Sequence, residues 1–209
     1  MKYYYILFIF LASYGVRVSA QTLETKWLHS ISSESSSFLN NSSKTISNTT
    51  SYIAVGLPVI LLAEGYLSDD EKTVENGWYV VSSLAVSSVF TLALKYGINR
   101  QRPYETYPGY IIPKGSEGSP SFPSGHTSMA FSLATSLSIS YPKWYVIAPS
   151  MLWATSVAYS RMNLGVHYPS DVAAGAVLGA GSAWLTYKMN QWLHQPIKRV
   201  TKRSMEWLH

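Results

Sequence analysis

Five uncharged stretches, with His126 counted as neutral, are separated by charged or proline-containing connections. They cover residues 45–63, 76–94, 118–142, 144–160 and 172–187. Each is long enough, or nearly so, for a helix that crosses a bilayer, which needs about 20 residues. No β-hairpin signal and no internal repeat occurs along the chain. The pattern predicts an all-α fold, a bundle of about five core helices.

The five stretches are only weakly apolar, because Ser, Thr, Gly and Ala are abundant in them and the mean hydropathy of the chain is close to zero. Small residues permit close helix packing inside a membrane. We therefore predict that the bundle spans a membrane. A helix that is apolar all round is buried in either setting, so a soluble helical domain is the alternative.

The first 20 residues have the form of an export signal peptide. Lys2 precedes an apolar run from Tyr3 to Tyr14, and Val18-Ser19-Ala20 is a cleavage site of small residues. A short uncleaved anchor is the alternative. We divide the remaining chain into a Ser/Thr/Asn-rich surface segment (21–50), to which we assign no chemistry, a helical domain (51–190) and a basic tail (191–209).

Composition excludes several classes of protein. The chain of 209 residues has no cysteine, so it has no disulfide, thiolate metal site or cysteine nucleophile. The net charge of +5 includes several cations of the C-terminal tail. Five spans after an exported N-terminus place that tail in the cytoplasm, in agreement with the positive-inside rule. We therefore predict no nucleic-acid partner, and nothing indicates an obligate protein partner.

The first of three polar clusters follows the second apolar stretch. Lys95 and Arg102 are seven residues apart, two helical turns, so they share one face if the helix continues to Pro103. Pro103 disfavours helix at Arg102 and is typical of a helix end. The alternative is a pair of charges that only flank a membrane helix.

The second cluster is Pro123-Ser124-Gly125-His126. Pro123 is typical of a helix start, and Gly125 lets backbone N–H groups approach an anion. Free N–H groups at a helix N-terminus bind phosphate. Ser124 adds a hydroxyl donor, and His126 can transfer a proton near neutral pH. The alternative is an ordinary capped helix.

The third cluster contains Arg161, His167 and Asp171. Arg161 offers a planar fork for two phosphate oxygens. Asp171 follows His167 by four residues, a spacing at which a carboxylate can hold an imidazole in one tautomer and leave the other ring nitrogen as a nucleophile. The alternative is a helix-capping Asp beside a structural His.

Five alternating spans bring the three clusters to one face of the membrane, which by parity is the outer face. Three cations, two histidines and one carboxylate fit an oxyanion with two or more negative charges. A metal site formed by His126, His167 and Asp171 is the alternative, but the adjacent Lys and Arg side chains would repel a cation. We predict no metal and no cofactor.

In order and spacing, the clusters resemble the three-part signature of the type-2 phosphatidic acid phosphatase superfamily. Its elements K-x6-R-P, P-S-G-H and S-R-x5-H-x3-D match residues 95–103, 123–126 and 160–171 without substitution. The resemblance covers about residues 50–190. It implies a helical bundle and metal-independent hydrolysis of phosphate esters.

The resemblance also implies the roles of the site residues. His167 attacks phosphorus and becomes a phosphohistidine, Asp171 orients His167, and His126 protonates the leaving alkoxide and then deprotonates the attacking water. The groups expected to hold the phosphate oxygens are Lys95, Arg102, Ser124, the Gly125 amide and Arg161.

We expect a membrane enzyme that acts on a phospholipid or polyprenyl phosphate at the outer (periplasmic) face of the cytoplasmic membrane. The main alternative is a secreted or periplasmic soluble acid phosphatase of the same superfamily. A vanadium haloperoxidase and a non-catalytic phosphate-binding module are further alternatives. The aromatic loop from Tyr104 to Tyr110 is a candidate gate for head groups, or simply an interfacial belt.

Overall fold

The structure, a computed structural model, describes residues 23–206, with side chains up to residue 192. The predicted signal peptide lies outside the described residues. The described part is helical and contains no β-strand. Its helices are α1 (23–33), α2 (Ser37–Leu67), α3 (Glu71–Ile98), α4 (Pro103–Thr106), α5 (Gly125–Ser140), α6 (Trp144–Asn163) and α7 (Pro169–Glu206).

The predicted all-α bundle is confirmed. Four of the five uncharged stretches lie within α2, α3, α6 and α7, whereas the stretch 118–142 is helical only from Gly125 to Ser140. Its first part is the loop that leads into α5. The backbone of α7 continues through most of the predicted basic tail to Glu206.

Local sequence explains where the long helices begin and end. The Ser36 hydroxyl accepts a hydrogen bond from the Leu39 N–H at the start of α2, and Asp70 caps α3 through the N–H groups of Lys72 and Thr73. Asn99, with φ 49°, ends α3 in the left-handed conformation that Asn tolerates. The helix does not continue to Pro103, so the condition for Lys95 and Arg102 to share one helix face is not met.

The closest packing in the bundle is between α5 and α7, and two glycines permit it. A Cβ atom on Gly175 would lie 2.7 Å from the Ser124 carbonyl oxygen, and one on Gly179 would overlap the Ser128 carbonyl oxygen. Any larger residue would push the two helices apart. This contact fixes the start of α5 against the start of α7.

The bundle carries small residues inside and large apolar residues outside. Ala130, Ala134 and Val157 are fully buried, and the buried Ser128 hydroxyl bonds to Ser87 at 2.6 Å and to Thr91 at 2.9 Å. The exposed apolar side chains include Val55, Val59, Ile60, Val89, Leu152 and Trp184. This distribution favours a membrane bundle over a soluble domain.

Two segments of the described chain are long and apolar enough to cross a membrane, Ser37–Leu67 and Glu71–Thr106. The first is α2 and the second contains α3 and α4. Helix α5, with 16 residues, is short for a span that needs about 20. Five complete spans therefore remain a prediction.

The expectation that residues 21–50 form a surface segment was wrong in part. Ser43, Ser47 and Thr50 are 2%, 2% and 0% exposed, because the spacing i, i+4, i+7 places them on one face of α2. That face packs against α6. Lys114 fastens the junction of α1 and α2 through Asn40 Oδ1, at 2.8 Å, and the Ser32 carbonyl.

Candidate active site

All eight predicted site residues lie at helix ends or connections on one end of the bundle. Lys95 is in the last turn of α3, Arg102 directly precedes α4, and Arg161 is in the last turn of α6. The remaining five lie in the loop before α5, the first turn of α5, the α6–α7 connection and the first turn of α7: Ser124, Gly125, His126, His167 and Asp171.

His167 stands between a carboxylate and a guanidinium. Its Nδ1 lies 3.5 Å from Oδ2 of Asp171, and its Nε2 lies 3.4 Å from Nη1 of Arg102. Both His167 and Asp171 are buried, with 1% and 0% exposure. The carboxylate of Asp171 therefore faces one ring nitrogen, and the guanidinium of Arg102 faces the other.

The environment of His167 favours the neutral imidazole. Burial lowers the pKa of His167 to about 3, and the positive charges of Arg161 and Arg102 act in the same direction. The hydrogen-bonding carboxylate of Asp171 acts in the opposite direction but does not outweigh them. At physiological pH one ring nitrogen therefore has a lone pair available for attack.

Two buried arginines, Arg102 and Arg161, lie close enough to His167 for their charges to lower its pKa. Arg102 donates to the carbonyls of Ser119 and Val166, each at 2.8 Å, and is 1% exposed. Arg161, 3% exposed, donates to the Ser47 hydroxyl at 2.5 Å. Its Nε is buried without a hydrogen-bond partner among the described residues. An unpaired buried donor of this kind is costly unless an anion binds to it.

Lys95 lies near both arginines. Together with the start of α5, these three cations form the cationic end of the site. Lys95 Nζ donates to the Pro120 carbonyl, and its Cε lies 3.8 Å from the position that a Cβ on Gly125 would take. The Ser124 side chain does not cap α5. Its hydroxyl instead accepts a hydrogen bond from Thr127 at 2.9 Å, so its own proton is free to be donated. His126 is half-buried beside them.

Glu117 was not predicted, yet it lies in this cationic end. Its carboxylate accepts a hydrogen bond from Arg161 and lies 4.0 Å from Nη2 of Arg102. Burial raises the pKa of Glu117, but the charges of Arg161, His126 and Arg102 outweigh that effect and hold the pKa below its usual range. An anion is thus already bound where an oxyanion was expected.

The sequence analysis also missed an arginine that contacts Asp171 and two polar residues of α1 and α2. Arg100, which lies in the sequence between Lys95 and Arg102, received no role, and its Nη1 lies 2.7 Å from Oδ1 of Asp171. Glu24 of α1 lies 3.2 Å from Arg100, and Ser47 of α2 bonds to Arg161. The one signal for Ser47 in the sequence is the spacing of small residues along α2.

The alternative of a metal site receives no support from the described side chains. Within residues 23–192, no three His, Asp or Glu side chains are grouped as metal ligands. The two carboxylate oxygens of Asp171 are bonded to Arg100 and to Ser121.

Comparison with known proteins gives a consistent result. The sequence model of the PAP2 superfamily matches residues 76–195. An undecaprenyl-diphosphatase of Sulfolobus acidocaldarius is 33% identical over 132 residues, which are 62% of this chain and 62% of that protein. A lipid A 4'-phosphatase of Bacteroides thetaiotaomicron is 38% identical over 78 residues, 37% of this chain and 35% of that protein. The chain therefore spans less than two thirds of the length of these two relatives.

Two solved structures share the architecture. Aquifex aeolicus LpxE has a TM-score of 0.67 and 26% identity, covering 78% of this chain and 93% of that one. A transmembrane PAP2-type phosphatidylglycerolphosphate phosphatase from Bacillus subtilis has a TM-score of 0.69 and 25% identity, covering 83% of this chain and 87% of that one. Since the family model matches more than half of the sequence and the helical fold agrees, this chain belongs to the PAP2 superfamily.

Proposed function

We propose that this chain is a membrane phosphatase that hydrolyses a phosphate or diphosphate ester of a lipid through a phosphohistidine intermediate, without a metal. The observation that carries the proposal is the buried position of His167 between Asp171 and Arg102. Phosphoryl transfer depends mainly on positioning and on stabilisation of negative charge. Fixed cations around a nucleophilic nitrogen provide both.

The first step forms a P–N bond and breaks a P–O bond. The Nε2 lone pair of His167 attacks phosphorus while Lys95, Arg102 and Arg161 stabilise the charge on the equatorial oxygens. Burial and the charge of Arg161 lower the pKa of His126 to about 4, and the negative charge of a bound phosphate raises it again. In its protonated form His126 gives its proton to the leaving oxygen, which departs as an alcohol or, from a diphosphate, as the lipid monophosphate. Asp171 stabilises the positive charge that develops on the His167 ring.

The second step regenerates the enzyme. His126, now neutral, takes a proton from a water molecule, and the resulting hydroxide attacks phosphorus. The P–N bond breaks, phosphate leaves, and neutral His167 is restored. Ser124 and the N–H groups at the start of α5 add donors for the same oxygens.

A lipid substrate is supported by the bundle itself and by the relatives. Large apolar side chains cover the outside of the helices, so a substrate held in the surrounding bilayer can reach the end of the bundle. The relatives are named for undecaprenyl diphosphate, lipid A and phosphatidylglycerolphosphate, which share a phosphate on a lipid.

Phosphate release by purified protein from a panel of lipid and soluble phosphates tests the activity, with His167→Ala as control. We expect His167→Ala to lose about 10³-fold or more in kcat. An alkaline quench of a single turnover with radiolabelled substrate should trap label on wild type and none on His167→Ala. Turnover by His167→Ala, or activity abolished by EDTA, would contradict the proposal.

We also propose that the site faces the outer side of the cytoplasmic membrane. The support is the predicted signal peptide and the positive-inside placement of the basic tail. Because the chain has no cysteine, single-cysteine variants report the orientation. A membrane-impermeant maleimide on intact cells should label Gly115→Cys, in the loop beside the site, and not Lys72→Cys at the other end of α3. The reverse pattern would place the site in the cytoplasm.

A further inference from the structure

Asp171 is held through both of its carboxylate oxygens, and only one of them faces His167. Oδ2 accepts from the Ser121 hydroxyl at 2.5 Å and from the Tyr168 N–H at 3.0 Å, and it lies 3.5 Å from Nδ1 of His167. Oδ1 faces away from the ring and lies 2.7 Å from Nη1 of Arg100. Rotation of this carboxylate would break both sets of bonds.

Residue 100 contributes to both sets of bonds. Its guanidinium binds Oδ1, and its backbone carbonyl accepts the Ser121 N–H at 2.8 Å. That second bond places the Ser121 hydroxyl against Oδ2. One residue of the α3–α4 connection therefore supports the carboxylate directly through its side chain and, by way of Ser121, through its backbone.

Arg100 is itself held in place by residues other than Asp171. Its Nη1 also bonds to the Ser170 hydroxyl at 2.7 Å, its Nη2 lies 3.2 Å from Glu24, and its Cζ lies 3.9 Å from the centroid of the Tyr168 ring. Ser170 in turn donates to Glu24 at 2.6 Å. A guanidinium with two carboxylates, a hydroxyl and an aromatic face around it has little freedom to move.

Arg100 and Arg102 approach His167 from different sides. The contacts of Arg100 are with the Nδ1 side, through Asp171, whereas Arg102 approaches Nε2. We infer that Arg100 is a positioning residue, which holds Asp171 ionised and aimed at Nδ1 while His167 carries the phosphoryl group. This inference rests on the proposed function, because the role acts through the His167 intermediate.

A positioning role of Arg100 affects kcat and KM differently from a role in phosphate binding. Loss of Arg100 should lower kcat by about 10- to 100-fold, as loss of groups that orient a ligating or catalytic side chain does. KM should stay within about threefold, because Arg100 does not contact the phosphate. Arg100→Lys keeps the charge but not the fork, so a loss of only about 3- to 10-fold is expected.

A double-mutant cycle with Asp171 is the decisive test. In Asp171→Asn the carboxylate is already absent, so adding Arg100→Gln should cost less than about threefold in kcat. Lys72→Gln, which removes an exposed cation at the other end of α3, is the matched control and should change kcat in neither background. Equal losses from Arg100→Gln in both backgrounds, or a loss confined to KM, would overturn the inference.

Rescue of Arg100→Ala by a small guanidinium compound tests the positioning role, because a residue needed only for folding would not be rescued in this way. A cavity of about 210 Å³ adjoins Arg100 and is lined also by Gln101, Tyr107 and Tyr168. Methylguanidinium should therefore raise kcat of Arg100→Ala at least fivefold and leave Asp171→Asn unchanged. If Arg100→Ala does not fold, the effect of Arg100→Lys on kcat is compared between wild type and Asp171→Asn, and equal losses in the two would overturn the inference. Turnover retained by His167→Ala would instead refute the proposed function.

Discussion

The carboxylate of Glu117 accepts a hydrogen bond from the guanidinium of Arg161. Both groups are largely withdrawn from water, so their attraction is screened less than at an open surface. A phosphate that binds the same guanidinium has to replace that carboxylate. Glu117 is thus an internal competitor for the anion that the site is proposed to bind.

Glu117→Gln should therefore tighten binding of inorganic anions. We expect the inhibition constants for phosphate and for vanadate to fall by about 3- to 10-fold, since removing one charge-assisted contact frees Arg161 for the inhibitor. Competition assays with a short-chain soluble substrate measure this. Glu75→Gln, at the exposed start of α3, is the matched control, and inhibition constants that rise in Glu117→Gln would refute the competition.

The proposed acid role of His126 predicts a dependence on the leaving group. In His126→Ala, phosphorylation of His167 by an alkyl phosphate should slow by about 10²- to 10⁴-fold, because a poor leaving group needs its proton. Phosphorylation by p-nitrophenyl phosphate should slow far less, and phosphoenzyme should accumulate because the base for water is missing. Rapid-quench kinetics on both substrates measures this, and equal slowing of phosphorylation would exclude the acid role.

The close contact between α5 and α7 predicts a large difference between two glycines of one helix. Gly179→Ala would make a Cβ atom overlap the Ser128 carbonyl oxygen, which should cost about 1–3 kcal/mol or more of unfolding free energy. Gly181 has open space around it, so Gly181→Ala should be neutral or stabilising by up to about 1 kcal/mol. Thermal unfolding in mild detergent compares them, and equal midpoints would contradict the packing.

The buried neutral His167 predicts how stability depends on pH. Its pKa is lowered from 6.5 to about 3 in the folded chain. Between these values the unfolded chain binds the additional proton, so the free energy of unfolding should fall as pH drops from 6.5 towards 3. The slope from this group approaches about 1.4 kcal/mol per pH unit.

His167→Asn should remove that part of the slope. Denaturant unfolding in detergent at several pH values between 3.5 and 7 compares the variant with wild type. Identical slopes in the two proteins would show that His167 does not titrate as its burial requires.

The fold class and the convergence of the three clusters could be predicted because both follow from local information. Helix-length apolar stretches indicate helices, and alternating direction brings every second connection to the same end. The structure places Lys95, Arg102, His126, Arg161 and His167 at one end of the bundle, as that reasoning expected. Their chemical roles remain predictions.

The partners of those residues could not be predicted, because they depend on side-chain contacts between distant segments. Glu117 is 44 residues from Arg161 in sequence, and Glu24 is 76 residues from Arg100. No periodicity connects such positions. Lys95 and Arg102 do not share a helix face for a local reason, because Asn99 ends α3 four residues after Lys95.

The polar contacts made by α1 and α2 have a consequence for protein engineering. A fragment trimmed to residues 76–195, the part that the family model matches, would lack Ser47 and Glu24. Arg161 and Arg100 would each lose a polar partner, and α6 would lose the small-residue face of α2 that packs against it. Grafting this fragment into another PAP2 scaffold should therefore give an inactive chimera unless the two N-terminal helices are transferred with it.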